Sequence, residues 1–347
     1  MKRMKTLTLA LALLGSLGLQ AQDGLLKETI AYRDTFKMDV YVNPSVKVDG
    51  KRPVFIHTHG GGWNSGDRKI NAQTGVWADM LREGMVVVSI DYRQGVAMAR
   101  AEGKLKDMPV VSADSKEAFD GEEVSPIIRQ SILWGVEDLY DATTCVLQHA
   151  DSWNANPECV ILGGGSAGAI ESLTAEYLQK NADPLALAHL PQDFQFAGVI
   201  AAAGAIWVDG GDVPIWQRKP CPMMFFHGSA DRTVYPHLLH IDALNSSFSG
   251  PEIIIPTLRN QQVSYMYYVG EGYDHVMSGI PFETYGKDMM SFIYRVIYNK
   301  EKVAVKTIEE DYEGPRNLVR YYTELMGISK EEFLKRVQQL NTKNKNE

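Results

Sequence analysis

Ser166 lies in Gly164-Gly165-Ser166-Ala167-Gly168, directly after an apolar strand ending at Leu162 and before a helical segment. A serine hydroxyl can act as a nucleophile when a sharp strand–turn–helix bend lifts it clear of the chain, and such a bend is tolerated only where the flanking residues are small. The helix that follows aims backbone N–H groups at the same spot. The plain alternative is a glycine-rich turn that happens to hold a serine, because short motifs recur by accident.

A second pattern argues against accident. His59-Gly60-Gly61-Gly62-Trp63 follows the buried strand Pro53 to His57, well ahead of the serine turn. Acyl transfer develops an oxyanion, which needs preorganised N–H donors. A glycine run lets the backbone approach a substrate and present them, each worth about 3–4 kcal/mol in the transition state. Strand, His-Gly-Gly-Gly, then Gly-x-Ser-x-Gly is the order found in esterases and lipases.

An acid and a base should follow in the order Ser, Asp or Glu, His. The base is then His237, His240 or His275. His275 sits in a glycine-bearing loop just past the strand ending at Val269, whereas His237 and His240 fall on an expected helix over His237 to Leu244. His275 is therefore chosen. For the acid, Asp231 occupies the His227-Gly228-Ser229-Ala230-Asp231 turn after the strand ending at Phe226, with Asp209 and Asp212 as alternatives. Asp274 adjoins the base too closely to orient it. His57 and His59 alternate along a strand as a metal pair would, but no third ligand is evident and no Cys-x-x-Cys spacing exists, so no metal is expected.

The elements that must position these residues alternate. Strands are expected at Lys27 to Arg33, Phe36 to Asn43, Pro53 to His57, Met85 to Ile90, Cys159 to Leu162, Phe196 to Ala202, Pro222 to Phe226 and Val263 to Val269. Helices are expected at Asn71 to Arg82, Ser131 to Ala150, from Ala167 onward, and Phe282 to Ile297. Apolar β-rich runs such as Met-Val-Val-Val-Ser-Ile suit strands covered on both faces. The expectation is an α/β fold with a mostly parallel central sheet and helices on both faces. Gln94 to Gln130 breaks the rhythm as a long, poorly periodic insertion. It leaves the sheet at the carboxyl end of a strand, so it should border the site as a lid or pocket wall. Trp63 and Trp207 should reach that opening as substrate-pocket candidates. The tail from 301 to 347 is charged, with helices expected at Arg316 to Met326 and Glu331 to Leu340.

The chain's 347 residues suffice for one large catalytic domain, here assigned to 22–300. A net charge of −8 with no basic stripe argues against nucleic acid and against anionic membranes as partners. Lys2, Arg3 and Lys5 precede an apolar run from Leu7 to about Leu19, too short to cross roughly 30 Å of hydrocarbon. Residues 1–21 are therefore read as a cleaved signal peptide, giving a periplasmic or secreted protein without a stable membrane anchor. Cleavage after Gly18 is the alternative to cleavage after Ala21. Cys145, Cys159 and Cys221 leave at least one thiol unpaired, and buried free thiols are the simpler reading.

These motifs, with Gly66-Asp67-Arg68 and Asp91-Tyr92-Arg93, make the chain resemble the α/β-hydrolase superfamily from about Asp39 to Tyr298. It looks closest to carboxylesterases related to hormone-sensitive lipase and to bacterial feruloyl and acetyl-xylan esterases. The resemblance implies that the N–H groups of Gly61, Gly62 and Ala167 form an oxyanion hole, and that Asp91-Tyr92-Arg93 anchors the oxyanion loop. The insertion replaces the proline and glutamate that usually follow Asp-Tyr-Arg. The expected activity is hydrolysis of a small-molecule or polysaccharide ester, with short or aromatic acyl groups on carbohydrate, and without a cofactor. A lipase, an exported peptidase or amidase, and a catalytically silent binding protein are the rivals.

Overall fold

The computed structural model describes residues 20–22, 24–105, 121–311, 314 and 316–343. Residues 1–19 of the leader expected at 1–21 and the middle of the insertion lie outside the described residues, whereas Gln20 and Ala21 fall in the first strand. Ten strands form one sheet in the order β1-β2-β3-β5-β4-β6-β7-β9-β12-β13. Here β1 is Gln20–Gln22, β2 Leu25–Arg33, β3 Phe36–Val42, β4 Arg52–Thr58 and β5 Val86–Ile90. The sheet continues with β6 Ala155–Gly165, β7 Gly198–Ala202, β9 Met223–Gly228, β12 Tyr265–Gly270 and β13 Ala304–Glu309. The pairings β1/β2, β2/β3 and β3/β5 are antiparallel, and all others are parallel.

Period-two burial explains why the central strands read as unbroken apolar runs. Val54, Ile56, Val86, Val88, Val160 and Leu162 face one apolar layer. Phe55, Val87, Ile161, Ile200 and Met224, one residue out of phase, face the other. A strand covered on both sides gains about 1.5–3 kcal/mol from each fully buried Val, Ile, Leu, Phe or Met side chain, so no position along it favours a polar residue. Helices α3 Ser125–His149 and α4 Ala167–Lys180 cover the first face. Helices α1 Gly75–Arg82, α7 Ile280–Thr284 and α8 Gly286–Phe292 cover the second. The chain also forms α2 Gly95–Ala101, α5 Pro184–His189, α6 Pro251–Asn260, α9 Leu318–Met326 and α10 Lys330–Lys343.

Four local expectations change. The segment expected as helix over His237 to Leu244 is a strand, β10 Leu238–Ile241, running into a 3-10 turn. It pairs antiparallel with β11 Ser246–Ser249, which pairs with β8 Ile206–Val208, giving a separate three-stranded sheet. The helix expected from Ser131 begins at Ser125, with a proline in its first turn, so the end of the insertion is regular helix. The helix expected over Phe282 to Ile297 is broken into α7, α8 and a π-helical turn at Ile293–Tyr298. Finally, β13 extends the main sheet into the charged tail, as an edge strand whose Val305 and Ile308 are exposed. All three cysteines are buried free thiols.

Candidate active site

The strands β4, β6, β9 and β12 run parallel and finish at one edge of the sheet, the edge where open α/β sheets bind ligands. The loops that leave it carry the glycine run, Ser166, Asp231 and His275 respectively. Ser166 has φ +54°, a left-handed conformation that costs a non-glycine residue of order 1–3 kcal/mol. Packing imposes it: the Ser166 N–H donates to the Ala202 carbonyl at 2.9 Å, and α4 begins at the next residue. A Cβ on either Gly164 or Gly168 would fall on the Thr58 carbonyl oxygen at the end of β4. The two glycines of the motif are thus required by a neighbouring strand as well as by the turn itself.

The structure brings the three chosen residues together. His275 Nε2 accepts from Ser166 Oγ at 2.8 Å, and His275 Nδ1 donates to Asp231 Oδ2 at 2.8 Å. Asp231 Oδ1 accepts from the N–H groups of Thr233 at 2.8 Å and Val234 at 3.0 Å. Burial alone would raise the Asp231 pKa. The charge and hydrogen bond of His275, the charge of His227 and the Val234 N–H outweigh it and hold the carboxyl below its usual range. His227, whose pKa burial lowers, donates from Nε2 to the Val234 carbonyl at 2.8 Å and so braces the Asp231 turn.

The loops that carry Asp231 and His275 are laced to each other. The Gly272 N–H donates to Ser229 Oγ at 2.7 Å, and the Ala230 N–H donates to the Tyr273 carbonyl at 2.9 Å. Asp274 caps the 3-10 turn at His275–Ser278 by accepting from the Val276 N–H at 3.0 Å. Its carboxylate also accepts from the Leu318 N–H at the start of α9, at 3.1 Å to each oxygen. The tail therefore hooks onto the loop that carries His275.

The glycine loop lies against the serine turn: a Cβ on Gly60 would sit 2.9 Å from the Gly165 carbonyl oxygen and 3.3 Å from Ser166 Cβ. Gly61 and Gly62, with φ of +119° and +60°, follow it, and Ala167 is the first residue of α4. Tyr92 Oη donates to the His59 carbonyl at 2.8 Å and its ring stacks on the His59 imidazole. His59 Nδ1 donates to the Gly60 carbonyl at 2.7 Å. Asp91 accepts from the Arg68 N–H at 3.0 Å, while Arg68 Nε donates to Asp39 at 3.0 Å, tying the loop to β3. His57 donates or accepts with Ser89 Oγ at 3.0 Å, and burial pushes its pKa down to about 3. It is a neutral core residue. Among the described residues no group of three metal-binding side chains occurs.

Other candidates fall elsewhere. Asp209 pairs with Arg129 and accepts from Trp207 Nε1, and Asp212 pairs with His240. The two tryptophans expected at the opening are corrected. Trp63 is 2 % exposed, and its left-handed backbone, φ +56°, accompanies a ring turned inward onto Glu171. Trp207 is also 2 % exposed and packs edge-on against Phe248 in the small sheet. Of the insertion, α2 and the start of α3 are described, whereas residues 106–120 are not, so the lid expectation falls partly outside the described residues. Sequence reasoning missed Glu171, a fully buried acid on α4, the helix that follows Ser166. Its only signal was a charge among residues otherwise small or apolar.

The fold has solved counterparts. Esterase 2 of the planctomycete Thermogutta terrifontis, with propionate bound, superposes with a TM-score of 0.51 at 17 % identity, covering 78 % of this chain and 94 % of that one. The same enzyme phosphonylated by cyclosarin gives the same figures. Its apo form gives a TM-score of 0.50 at 17 % identity, covering 83 % and 98 %. This chain has the α/β-hydrolase fold. Within that hydrolase fold, residues 38–111 match the family model BD-FAE, a span from β3 through the glycine loop into the insertion. No curated protein sequence matches the chain. No described helix of the hydrolase fold is long and apolar enough to cross a membrane.

Proposed function

We propose that the protein is a serine hydrolase that cleaves carboxylic esters through an acyl-enzyme. The observation that carries the reading is His275, hydrogen-bonded to Ser166 Oγ on one side and to Asp231 on the other, both at 2.8 Å. In the first half-reaction Ser166 Oγ bonds to the acyl carbon while its proton passes to His275 Nε2. The carbonyl electron pair moves onto oxygen, facing the N–H groups of Gly61, Gly62 and Ala167. The tetrahedral adduct then collapses, and the leaving alkoxide takes the proton from Nε2 to depart as the alcohol. In the second half-reaction water gives a proton to Nε2 and attacks the acyl carbon. Collapse returns that proton to Ser166 Oγ and frees the carboxylic acid. Asp231 stays ionised throughout, stabilising the imidazolium.

The substrate proposed is a small-molecule or polysaccharide ester with a short or aromatic acyl group on carbohydrate. An exported enzyme meets extracellular polymers, and a leader at residues 1–21 would place this one in the periplasm or outside the cell. A propionate-bound esterase of the same fold supports a short-acyl preference. Hydrolysis of p-nitrophenyl esters from acetyl to palmitoyl, with methyl ferulate and acetylated xylan alongside, tests this. The expected result is turnover that falls with acyl chain length and includes the carbohydrate ester. A palmitoyl preference would make it a lipase, and activity on amides alone would contradict the ester reading.

A further inference from the structure

We propose that Glu171 is a positioning residue for the oxyanion loop, holding it against the nucleophile through the indole of Trp63 in a slot that exists because residue 135 is glycine. The proposal rests on the ester-hydrolase reading. Glu171 lies on α4 little more than one turn beyond Ser166, and none of its surface is exposed. Its Oε1 accepts from Trp63 Nε1 at 2.8 Å, while Oε2 is buried without a partner among the described residues. A Cβ on Gly135 would fall on the Glu171 carboxyl group, so α3 passes where only a hydrogen fits. Three elements meet at this one bond: the nucleophile helix supplies the acceptor, the oxyanion loop the donor, and α3 the space.

Trp63 is held at both ends. The N–H groups of Val96 and Ala97, in the first turn of α2, donate to its carbonyl at 3.1 Å each. Its ring is fixed by Glu171. The residues before it are Gly61 and Gly62, which lack side chains to restrain them, so their direction depends on how the loop is anchored at each end. Tyr92 fixes the His59 end, and Trp63 fixes the other. Burying a carboxyl group for one indole hydrogen bond costs stability, and a leucine would fill the same space more cheaply. The cost is intelligible if the bond sets geometry.

The chemistry of the pair supports a neutral acid. Burial pushes the Glu171 carboxyl well above the ordinary range, the Trp63 N–H opposes this, and the nearby Asp138 charge adds to it. A proton on Oε2 then leaves an unpaired hydroxyl where an ionised group would leave an unpaired charge. Glutamine reproduces this state, with an oxygen facing Trp63 and an amide in place of the hydroxyl. Leucine removes the acceptor, and Gly135→Ala displaces the carboxyl from a different helix.

The test uses the full chain with tryptophan labelled by nitrogen-15, whose six indole N–H signals are countable. The signal lost in Trp63→Phe identifies the residue. Glu171→Gln should leave that signal hydrogen-bonded and slow to exchange with solvent, whereas Glu171→Leu and Gly135→Ala should shift it and speed exchange. On p-nitrophenyl acetate the latter two variants should lose about tenfold or more in kcat, with KM changed less than about twofold, and Glu171→Gln should recover most of the rate. Release of the indole N–H with kcat unchanged would overturn the proposal. So would an equal loss in the Gln and Leu variants. Ser166→Ala separates this from the parent reading: full ester hydrolysis in that variant would remove Ser166 as the nucleophile while the indole signals still report the clamp.

Discussion

Two groupings of serine, histidine and aspartate stand out among the described residues. One joins Ser166, His275 and Asp231 across three loops of the main sheet. The other joins Ser247, His240 and Asp212 beside the small sheet: Ser247 Oγ donates to Asp212 at 2.5 Å, and His240 Nδ1 donates to the same carboxylate at 2.7 Å. The ingredients are alike and the connectivity is not. In the first grouping the histidine stands between hydroxyl and carboxylate, with its two nitrogens committed to opposite partners. In the second one nitrogen faces both partners: His240 Nδ1 lies 3.1 Å from Ser247 Oγ as well as 2.7 Å from Asp212, and the Ser247 proton is directed at the carboxylate rather than at the imidazole. The surroundings differ as well. Asp231 is 2 % exposed and His275 7 %, whereas the Asp212 side chain is 49 % exposed and screened by water. Ser166 sits on a strained turn at the start of a helix; Ser247 is an ordinary strand residue. Residue types alone do not make a site; the order of hydrogen bonds and the backbone around them do.

Paired substitutions sharpen that contrast. Ser166→Ala and His275→Ala should each lower kcat by about a million-fold, as when a member of a cooperating triad is lost. Ser247→Ala and His240→Ala should leave kcat on p-nitrophenyl acetate unchanged. The reverse pattern would exchange the roles of the two groupings. Asp231→Asn should cost about 10⁴ in kcat by allowing the wrong imidazole tautomer, and Asp212→Asn should cost none.

A smaller effect belongs to the tail. Asp274→Ala removes the acceptor for both Val276 and Leu318, loosening the loop that carries His275 without touching its imidazole. We expect about a tenfold loss of kcat, near 1.4 kcal/mol in the barrier, and measurement of kcat against melting temperature checks it. A drop in melting temperature with kcat intact would make the hook purely structural.

Much of the nucleophile end was legible because its determinants are local. Strand, tight turn and helix follow one another in sequence, and a glycine-bearing loop just past a strand separated His275 from His240, although the helix expected around His240 is the strand β10. What was illegible depended on partners far away in the chain. His237 to Leu244 carries apolar residues at spacings a helix accepts, and its strand identity is decided by pairing with β11. Trp63 beside a glycine run reads as a pocket wall, but a left-handed backbone and a buried acid turn it inward. Nothing near Glu171 announces that a glycine on another helix makes room for its carboxyl.

The smallest expected effects are in stability, with opposite signs at Asp231 and Glu171. Asp231 has a folded-state pKa below its ordinary value, so its contribution is present above that value and is lost as pH falls through the folded one. Glu171 has a raised folded-state pKa, so its contribution is present at low pH and is lost as pH rises from the ordinary range through the raised value. Melting temperature against pH should therefore lose its acid-side dependence partly in Asp231→Asn and its higher-pH decline partly in Glu171→Gln. Shifts of a few degrees are expected. Superimposable curves for wild type and Glu171→Gln would mean that the buried acid is not held neutral.

The central claim is that the hydroxyl joined to His275 is the reactive one. Incubating the intact protein with a fluorophosphonate and mapping the adduct by peptide mass spectrometry tests it directly. The prediction is one adduct per chain, on the peptide containing Ser166, and none in Ser166→Ala. An adduct on Ser247, or unchanged labelling in Ser166→Ala, would contradict the account.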